Sequence, residues 1–102
     1  MNNFSVHYQT ERSERERFIN EFIGLGEEQY AFEYPYNGTT QIHKITTTGI
    51  VNVYDRTGER LITRLVARPQ QIRRYFEANG RRAPASLVDL ARKHAYQGYN
   101  EI

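Results

Sequence analysis

The chain has 102 residues, of which 38% are hydrophobic and 13% aromatic, and it carries no cysteine. This length suits one domain spanning 1–102, and the aromatic content argues against disorder. A disulfide framework and a cysteine-based zinc or redox site are excluded, and no apolar run approaches the roughly 20 residues that span a bilayer. The first residues also lack the charged start and apolar stretch of a signal peptide. We therefore expect a cytoplasmic domain with no membrane partner.

The first predicted element is a helix over residues 12–24. Ser13 and Glu16 have the spacing of a capping box, and Gly24 and Gly26 are expected to end the helix. The apolar stripe repeats at helical spacing and consists of Phe18, Ile19, Phe22 and Ile23.

From Tyr30 onward the apolar period becomes two, which predicts a four-stranded antiparallel meander. Asn37-Gly38 is a strong hairpin signal between the first two strands. The expected strands are 30–36, 39–48, 50–54 and 59–68. Two helices follow. Pro69 opens one that ends at Gly80, and a second begins around Pro84 and Ser86 and closes at Gly98. This order of elements predicts an α+β fold.

Charge is distributed unevenly along the chain. Residues 1–33 contain three arginines against seven glutamates, whereas residues 34–102 contain eleven basic residues against five acids. Twelve of the fourteen basic residues are arginine, whose planar guanidinium matches phosphate and stacks on bases. The basic segment therefore favours a polyanionic partner, while a solvated basic surface is the alternative.

The densest basic segment supplies the predicted nucleic-acid-binding residues. Residues four apart in a strand share one face, so three arginines of the fourth strand are expected to form a comb suited to phosphates. Two further arginines near the start of the next helix would extend it, and Lys44 on the second strand would add one cation. The predicted set is Arg60, Arg64, Arg68, Arg73, Arg74 and Lys44.

Histidines are the candidate catalytic residues, because their ordinary pKa lies near neutrality. His7 or His43 would act as the general base of a phosphodiester cleavage. Arg64, together with Arg60 and Arg68, would stabilise the developing pentacoordinate phosphate. The alternatives are a surface histidine for His7 and a polar sheet face for His43. Because side chains alternate along a strand, His43 and the adjacent Lys44 are expected to point to opposite faces. His94 shares a helix side with leucines and is expected to pack. The three histidines are too scattered to form a recognisable metal motif, so no metal site and no cofactor are expected.

An aromatic stripe occupies the first predicted strand and consists of Tyr30, Phe32, Tyr34 and Tyr36. Such a stripe more often packs in a core. A platform on which bases stack is the alternative.

The segment from Thr48 to Thr63, with its valine-rich strand, acidic-glycine turn and Ile-Thr strand, resembles the central hairpin of the RelE and colicin D-like small ribonucleases. His7, Arg15 and Thr63 loosely match positions of that group, whereas Glu11 stands where an arginine is expected. The resemblance covers roughly residues 1–76. It implies metal-independent RNA cleavage by attack of a 2′-hydroxyl, with a base and several cations.

Two functions therefore remain open. One is a metal-independent endoribonuclease. The other is a non-catalytic module of a phage or mobile element that binds nucleic acid, RNA favoured, or a nucleic-acid-bound protein. An inhibitor of host defence such as an anti-CRISPR protein is an example of this second class. The sequence leaves the oligomeric state open.

Overall fold

The computed structural model describes residues 12–95. It contains one four-stranded antiparallel sheet in the order β1-β2-β3-β4, with helical segments before and after it in the chain. The first helix, α1, comprises α-helical residues 12–18 and the π-helical turn Ile19–Ile23. The other elements are β1 (Glu28–Tyr36), β2 (Thr39–Thr46), β3 (Ile50–Tyr54), β4 (Leu61–Val66), α2 (Pro69–Glu77) and α3 (Ala85–Ala95). The predicted α+β meander is confirmed.

Local sequence explains the turns and the helix starts. Asn37 and Gly38 both have positive φ, at 50° and 77°, which is the geometry of the tight hairpin that this dipeptide favours. Pro69 occupies the first turn of α2, where its missing N–H costs no hydrogen bond. The predicted capping box is wrong, because residue 12 is already helical and Ser13 therefore lies inside α1.

Two hydrophobic clusters cover opposite faces of the sheet. The larger one joins the sheet to α2 and α3 through residues that include Phe32, Ile45, Val51, Ile72 and Phe76. We call this side of the sheet the helical face. The smaller cluster joins Ile19 of α1 to Ile50 and Val66 on the opposite side, which we call the α1 face.

Arginines of α1 satisfy the open edge of β4. The Arg15 guanidinium donates to the backbone carbonyl of Arg64 at 2.9 Å and to the Thr63 hydroxyl at 3.2 Å, and Arg12 donates to the carbonyl of Ile62. An unpaired edge strand is prone to pair with other chains. The loose sequence match that includes Arg15 and Thr63 thus falls on two residues in direct contact at this edge.

Candidate nucleic-acid interface

The fold separates the cations that the sequence predicted to act together. Because β4 covers only Leu61–Val66, Arg60 lies in the preceding turn and Arg68 in the connection to α2. Arg64 is the single member of the expected comb within the strand. The predicted comb on one strand face is therefore wrong.

Lys44 and Arg64 lie on the α1 face, where nearby carboxylates balance their charges. Arg64 Nη1 is 3.5 Å from Glu16 Oε1, and Lys44 Nζ is 4.0 Å from Glu28 Oε1. Each of these four side chains is about one-quarter to one-third exposed. Paired cations attract a polyanion less than free ones do, so this part of the predicted set is poorly suited to bind phosphates.

Tyr54 and Asn52 complete this polar cluster by donating hydrogen bonds to Glu28, the amide of Asn52 at 2.9 Å. Burial raises the pKa of Glu28, but these two bonds and the charges of Lys44 and Arg64 outweigh it, so that the pKa is lowered overall. The hydrogen bond to Glu28 and burial raise the pKa of Tyr54. Within residues 12–95, Asn52 Oδ1 and Arg64 Nε are buried without a partner. The cluster is a balanced polar centre rather than a basic surface.

The exposed cations concentrate instead on the helical layer. We define the helical arginine patch as the four exposed arginines Arg73, Arg74, Arg81 and Arg82. The ion pairs formed among residues 12–95 involve none of the four. The neighbouring Arg92 is paired with Asp89 at 2.8 Å. The binding set predicted from the sequence includes Arg73 and Arg74 but not Arg81 and Arg82.

Aromatic rings hold Arg81 in place. Its guanidinium carbon lies 5.2 Å from the centroid of the Phe76 ring, 5.7 Å from that of Tyr30 and 6.0 Å from that of Phe32. These distances are within the range of cation–π attraction. The interaction leaves the charge intact, so Arg81 remains an exposed cation beside the sheet.

His43 lies in a hydrogen-bonded network between the sheet and α2. It is 3% exposed, its Nε2 is 2.9 Å from Gln41 Oε1 and its Nδ1 is 2.7 Å from the Tyr75 hydroxyl. Because the Gln41 oxygen only accepts, His43 Nε2 carries the proton and the Tyr75 hydroxyl donates to Nδ1. Gln71 in turn donates to the Tyr75 oxygen at 3.2 Å.

Burial changes the acid–base properties of this network. It lowers the pKa of His43 to about 4 and raises the pKa of Tyr75 to about 12. His43 is therefore neutral near pH 7, and both of its ring nitrogens have partners. The expected alternation with Lys44 is confirmed, but His43 packs in the core on the helical face and does not lie on a polar sheet surface.

The second histidine among the described residues, His94, is also buried. His94 is 6% exposed, its Nε2 lies 3.0 Å from the Thr48 carbonyl oxygen, and burial lowers its pKa. Its predicted packing is confirmed. His7 lies outside the described residues. No three residues of the metal-ligating types cluster within 12–95.

A groove of about 310 Å³ runs between β1 and α2. We call it the β1–α2 groove; it is lined by Phe32, Glu33, Tyr34, Pro35, Gln71, Arg74, Tyr75, Ala78 and Asn79. The aromatic residues of β1 thus differ in their exposure to solvent. Phe32 is 5% exposed and belongs to the core, as predicted, whereas Tyr34 and Tyr36 are 37% and 51% exposed.

Comparisons with known proteins identify no relative of this chain, so the functional interpretation rests on the geometry of the structure. The chain matches no protein-family model, and neither the curated proteins nor the solved structures include a significant match. The resemblance to RelE and colicin D-like ribonucleases stays a prediction. No helix within residues 12–95 has the length and apolar character required to cross a membrane.

Proposed function

We propose that this protein binds single-stranded nucleic acid, RNA favoured, without cleaving it. The observation that carries the proposal is the helical arginine patch, in which four exposed arginines lie on one layer of the fold. Guanidinium groups bind phosphates with paired hydrogen bonds. Exposed tyrosines beside such a patch are typical of proteins on which single-stranded bases stack.

The state of the histidines supports binding over catalysis. A general base must reach the proton that it removes, but both nitrogens of His43 are engaged inside the core. His94 is buried against a backbone carbonyl. RNA cleavage that uses His7 as the general base remains a separate prediction, which the incubation in EDTA described below tests.

The test is fluorescence anisotropy with labelled single-stranded RNA, single-stranded DNA and duplex DNA between 50 and 200 mM salt. We expect the single strands to bind, with affinity that falls as salt rises. In the double variant Arg73→Gln and Arg74→Gln, each phosphate that is no longer neutralised lowers the slope of log affinity against log salt by about 0.7. The slope for the double variant should thus be smaller by about 1.4.

The matched control is the double variant Arg17→Gln and Arg56→Gln, which removes the same charge from exposed positions on α1 and in the β3–β4 turn. Its slope should equal that of the wild type. Equal decreases in both double variants, or no binding by the wild type at low salt, would overturn the proposal. Incubation of the RNA in EDTA, followed by gel analysis, detects cleavage, and cleavage would restore the ribonuclease hypothesis.

A further inference from the structure

The two edges of the sheet differ in how their backbone groups are satisfied. Arginines of α1 donate to carbonyls of β4, whereas β1 is hydrogen-bonded to β2 alone among the described strands. Within residues 12–95, the backbone hydrogen bonds formed outside the sheet involve no residue between Tyr30 and Tyr34. An open edge of this kind can pair with a strand of another chain.

The hairpin turn determines which residues of β1 direct their backbone groups to this open edge. In a two-residue hairpin, the residues that flank the turn form a hydrogen-bonded pair, and bonded and non-bonded pairs alternate from there along the strands. Tyr36 and Thr39 flank the turn, so the N–H and C=O of Tyr36 face β2. The residues an odd number of positions away face outward. They are Ala31, Glu33 and Pro35, and all three are exposed.

Both ends of β1 are unsuited to pairing, and only its middle is open. Pro35 has no N–H to donate, and the register of β1 with β2 shifts between Glu28 and Tyr30. Proline and bulges are devices by which natural edge strands resist pairing. They leave the residues from Tyr30 to Tyr34, which we call the β1 window. Within it, Ala31 and Glu33 each offer one N–H and one C=O, so a short extended segment fits the window.

The β1–α2 groove lies beside the β1 window on the helical face. Directly opposite residues of neighbouring strands share a face of the sheet. A residue of an added strand that pairs with Phe32 would therefore direct its side chain to the groove. Apolar groups of Phe32, Tyr75 and Ala78 line the groove, and its volume is about 310 Å³. The groove therefore suits one apolar side chain.

Two arginines lie at the two ends of the β1 window on the same face. The guanidinium carbon of Arg81 is 5.7 Å from the centroid of the Tyr30 ring, and Arg74 lines the groove together with Tyr34. Neither arginine forms an ion pair within residues 12–95. Acidic side chains on an added strand, opposite Tyr30 and Tyr34, would share this face and complement the two charges.

We propose that the β1 window binds an extended acidic segment of a partner protein as a fifth strand of the sheet. The segment places one apolar side chain in the β1–α2 groove and has an acidic residue two positions before it and another two positions after it. Main-chain hydrogen bonds supply the affinity and the alternate side chains supply the specificity, as in other cases of strand addition. This inference goes beyond the proposed function, since the open edge of β1 carries it.

A second copy of the chain suits the β1 window less well than an acidic segment. Antiparallel pairing of two copies about Phe32 would place Tyr30 of one copy opposite Tyr34 of the other. Arg81 of each copy would then approach Arg74 of the other, and like charges in such positions are destabilising. The charge at the window therefore favours a partner that brings carboxylates.

The probe is a fluorescein-labelled peptide of sequence Thr-Glu-Thr-Leu-Thr-Glu-Thr, titrated with the full chain in anisotropy measurements. We expect it to bind about tenfold more tightly than the same peptide with lysine in place of both glutamates. Two methylated peptides test strand addition. N-methylation of the two threonines beside leucine removes the N–H groups that face Ala31 and Glu33 and should weaken binding more than about tenfold. N-methylation of the two glutamates alters N–H groups that face away from β1 and should change affinity less than about threefold.

Variants of the protein test the edge and the charges separately. Ala31→Pro removes an outward N–H of the β1 window and should weaken binding of the acidic peptide about tenfold. Its matched control Ala31→Thr keeps the N–H and should bind like the wild type. Arg81→Gln should weaken binding several-fold, whereas Arg56→Gln removes the same charge from an exposed position of the β3–β4 turn and should leave it unchanged.

Three results would overturn the inference: no binding of the acidic peptide, equal binding of the acidic and lysine peptides, or equal binding of the two methylated peptides. A concentration-dependent dimer that Ala31→Pro abolishes would instead assign the edge to a second copy. Circular dichroism confirms that the variants fold, and the methylated peptides decide the matter if Ala31→Pro unfolds.

The outcome is independent of the proposed function. Ala31→Pro should keep the wild-type affinity for single-stranded RNA and its salt dependence, because no arginine is changed. An equal loss of RNA affinity in this variant would show that the edge belongs to the nucleic-acid site and would overturn the peptide inference. Conversely, absence of RNA binding by the wild type would overturn the proposed function and leave the peptide result standing.

Discussion

Protonation of His43 should destabilise the folded protein in mild acid. The folded state holds its pKa at about 4 by burial, whereas a histidine in an unfolded chain has a pKa of about 6.5. Between these values the unfolded state binds more protons, so the free energy of unfolding falls as pH decreases. This destabilisation is absent above pH 6.5 and reaches about 3 kcal/mol below pH 4. The free energy of unfolding therefore decreases by about 2 kcal/mol between pH 7 and pH 5.

Urea denaturation at pH 7, 6 and 5 measures this loss. Stopping at pH 5 keeps the measurement above the range in which Glu28, whose pKa is lowered, protonates in the folded protein. His94 has a lowered pKa as well and adds to the wild-type loss with the same sign. The variant His43→Gln keeps one donor and one acceptor and removes one titrating group, so the difference between the two proteins isolates His43. We expect the variant to lose about 2 kcal/mol less over this range.

An NMR titration of the imidazole Cε1–H signals provides the direct readout. A His43 pKa near 6.5, together with the same pH dependence in wild type and His43→Gln, would refute the reasoning. It would mean that His43 is solvated and free of the Tyr75 hydrogen bond. A general-base role for His43 in RNA cleavage would then again be chemically reasonable.

Three other substitutions test the contacts that shape the fold. Tyr75→Phe leaves a buried imidazole nitrogen without its donor and should reduce the free energy of unfolding by about 1–3 kcal/mol in urea denaturation. Gly26→Ala places a Cβ 2.6 Å from a threonine hydroxyl at a residue with φ +67°. Gly24→Ala is also strained, at φ +85°, but its Cβ meets nothing within 4 Å. The thermal midpoint should therefore fall further in Gly26→Ala than in Gly24→Ala. Arg15→Gln removes two hydrogen bonds from the β4 edge and should lower the free energy of unfolding by about 1–3 kcal/mol. The control Arg17→Gln, on the exposed side of α1, should change it by less than about 0.5 kcal/mol. Equal losses in the two variants would contradict the edge contact.

The fold was predictable because local signals agreed with one another. A change of apolar period near Tyr30, the Asn37-Gly38 turn and Pro69 each indicated a boundary, and short turns exclude crossover connections. The length of β4 was not predictable in the same way. Residues 59–68 alternate like a strand, but Asp55 accepts hydrogen bonds from the backbone of Thr57 and Arg60 and thereby keeps the chain in a turn.

The candidate site was only partly predictable. Strand alternation shows which side chains share a face of the sheet, but it does not show which face a helix covers. His43 and Lys44 were expected to diverge, and they do. Nothing in the local sequence indicated that Tyr75, 32 residues later, would bond to His43. Arg81 illustrates the same limit, because its aromatic partners come from β1 and α2.

The uneven charge of the sequence becomes an uneven charge in space. α1, which packs at the α1 face, carries three glutamates and three arginines, while the helical arginine patch lies on the opposite side of the sheet. The helical side is therefore the more basic of the two, and under the proposed function a polyanion would approach the molecule from this side at low salt. The β1–α2 groove is formed by α2, the same helix that carries Arg73 and Arg74. A single strand that bound the patch by its phosphates, as we propose, would thus lie beside the exposed ring of Tyr34, which lines the same groove as Arg74.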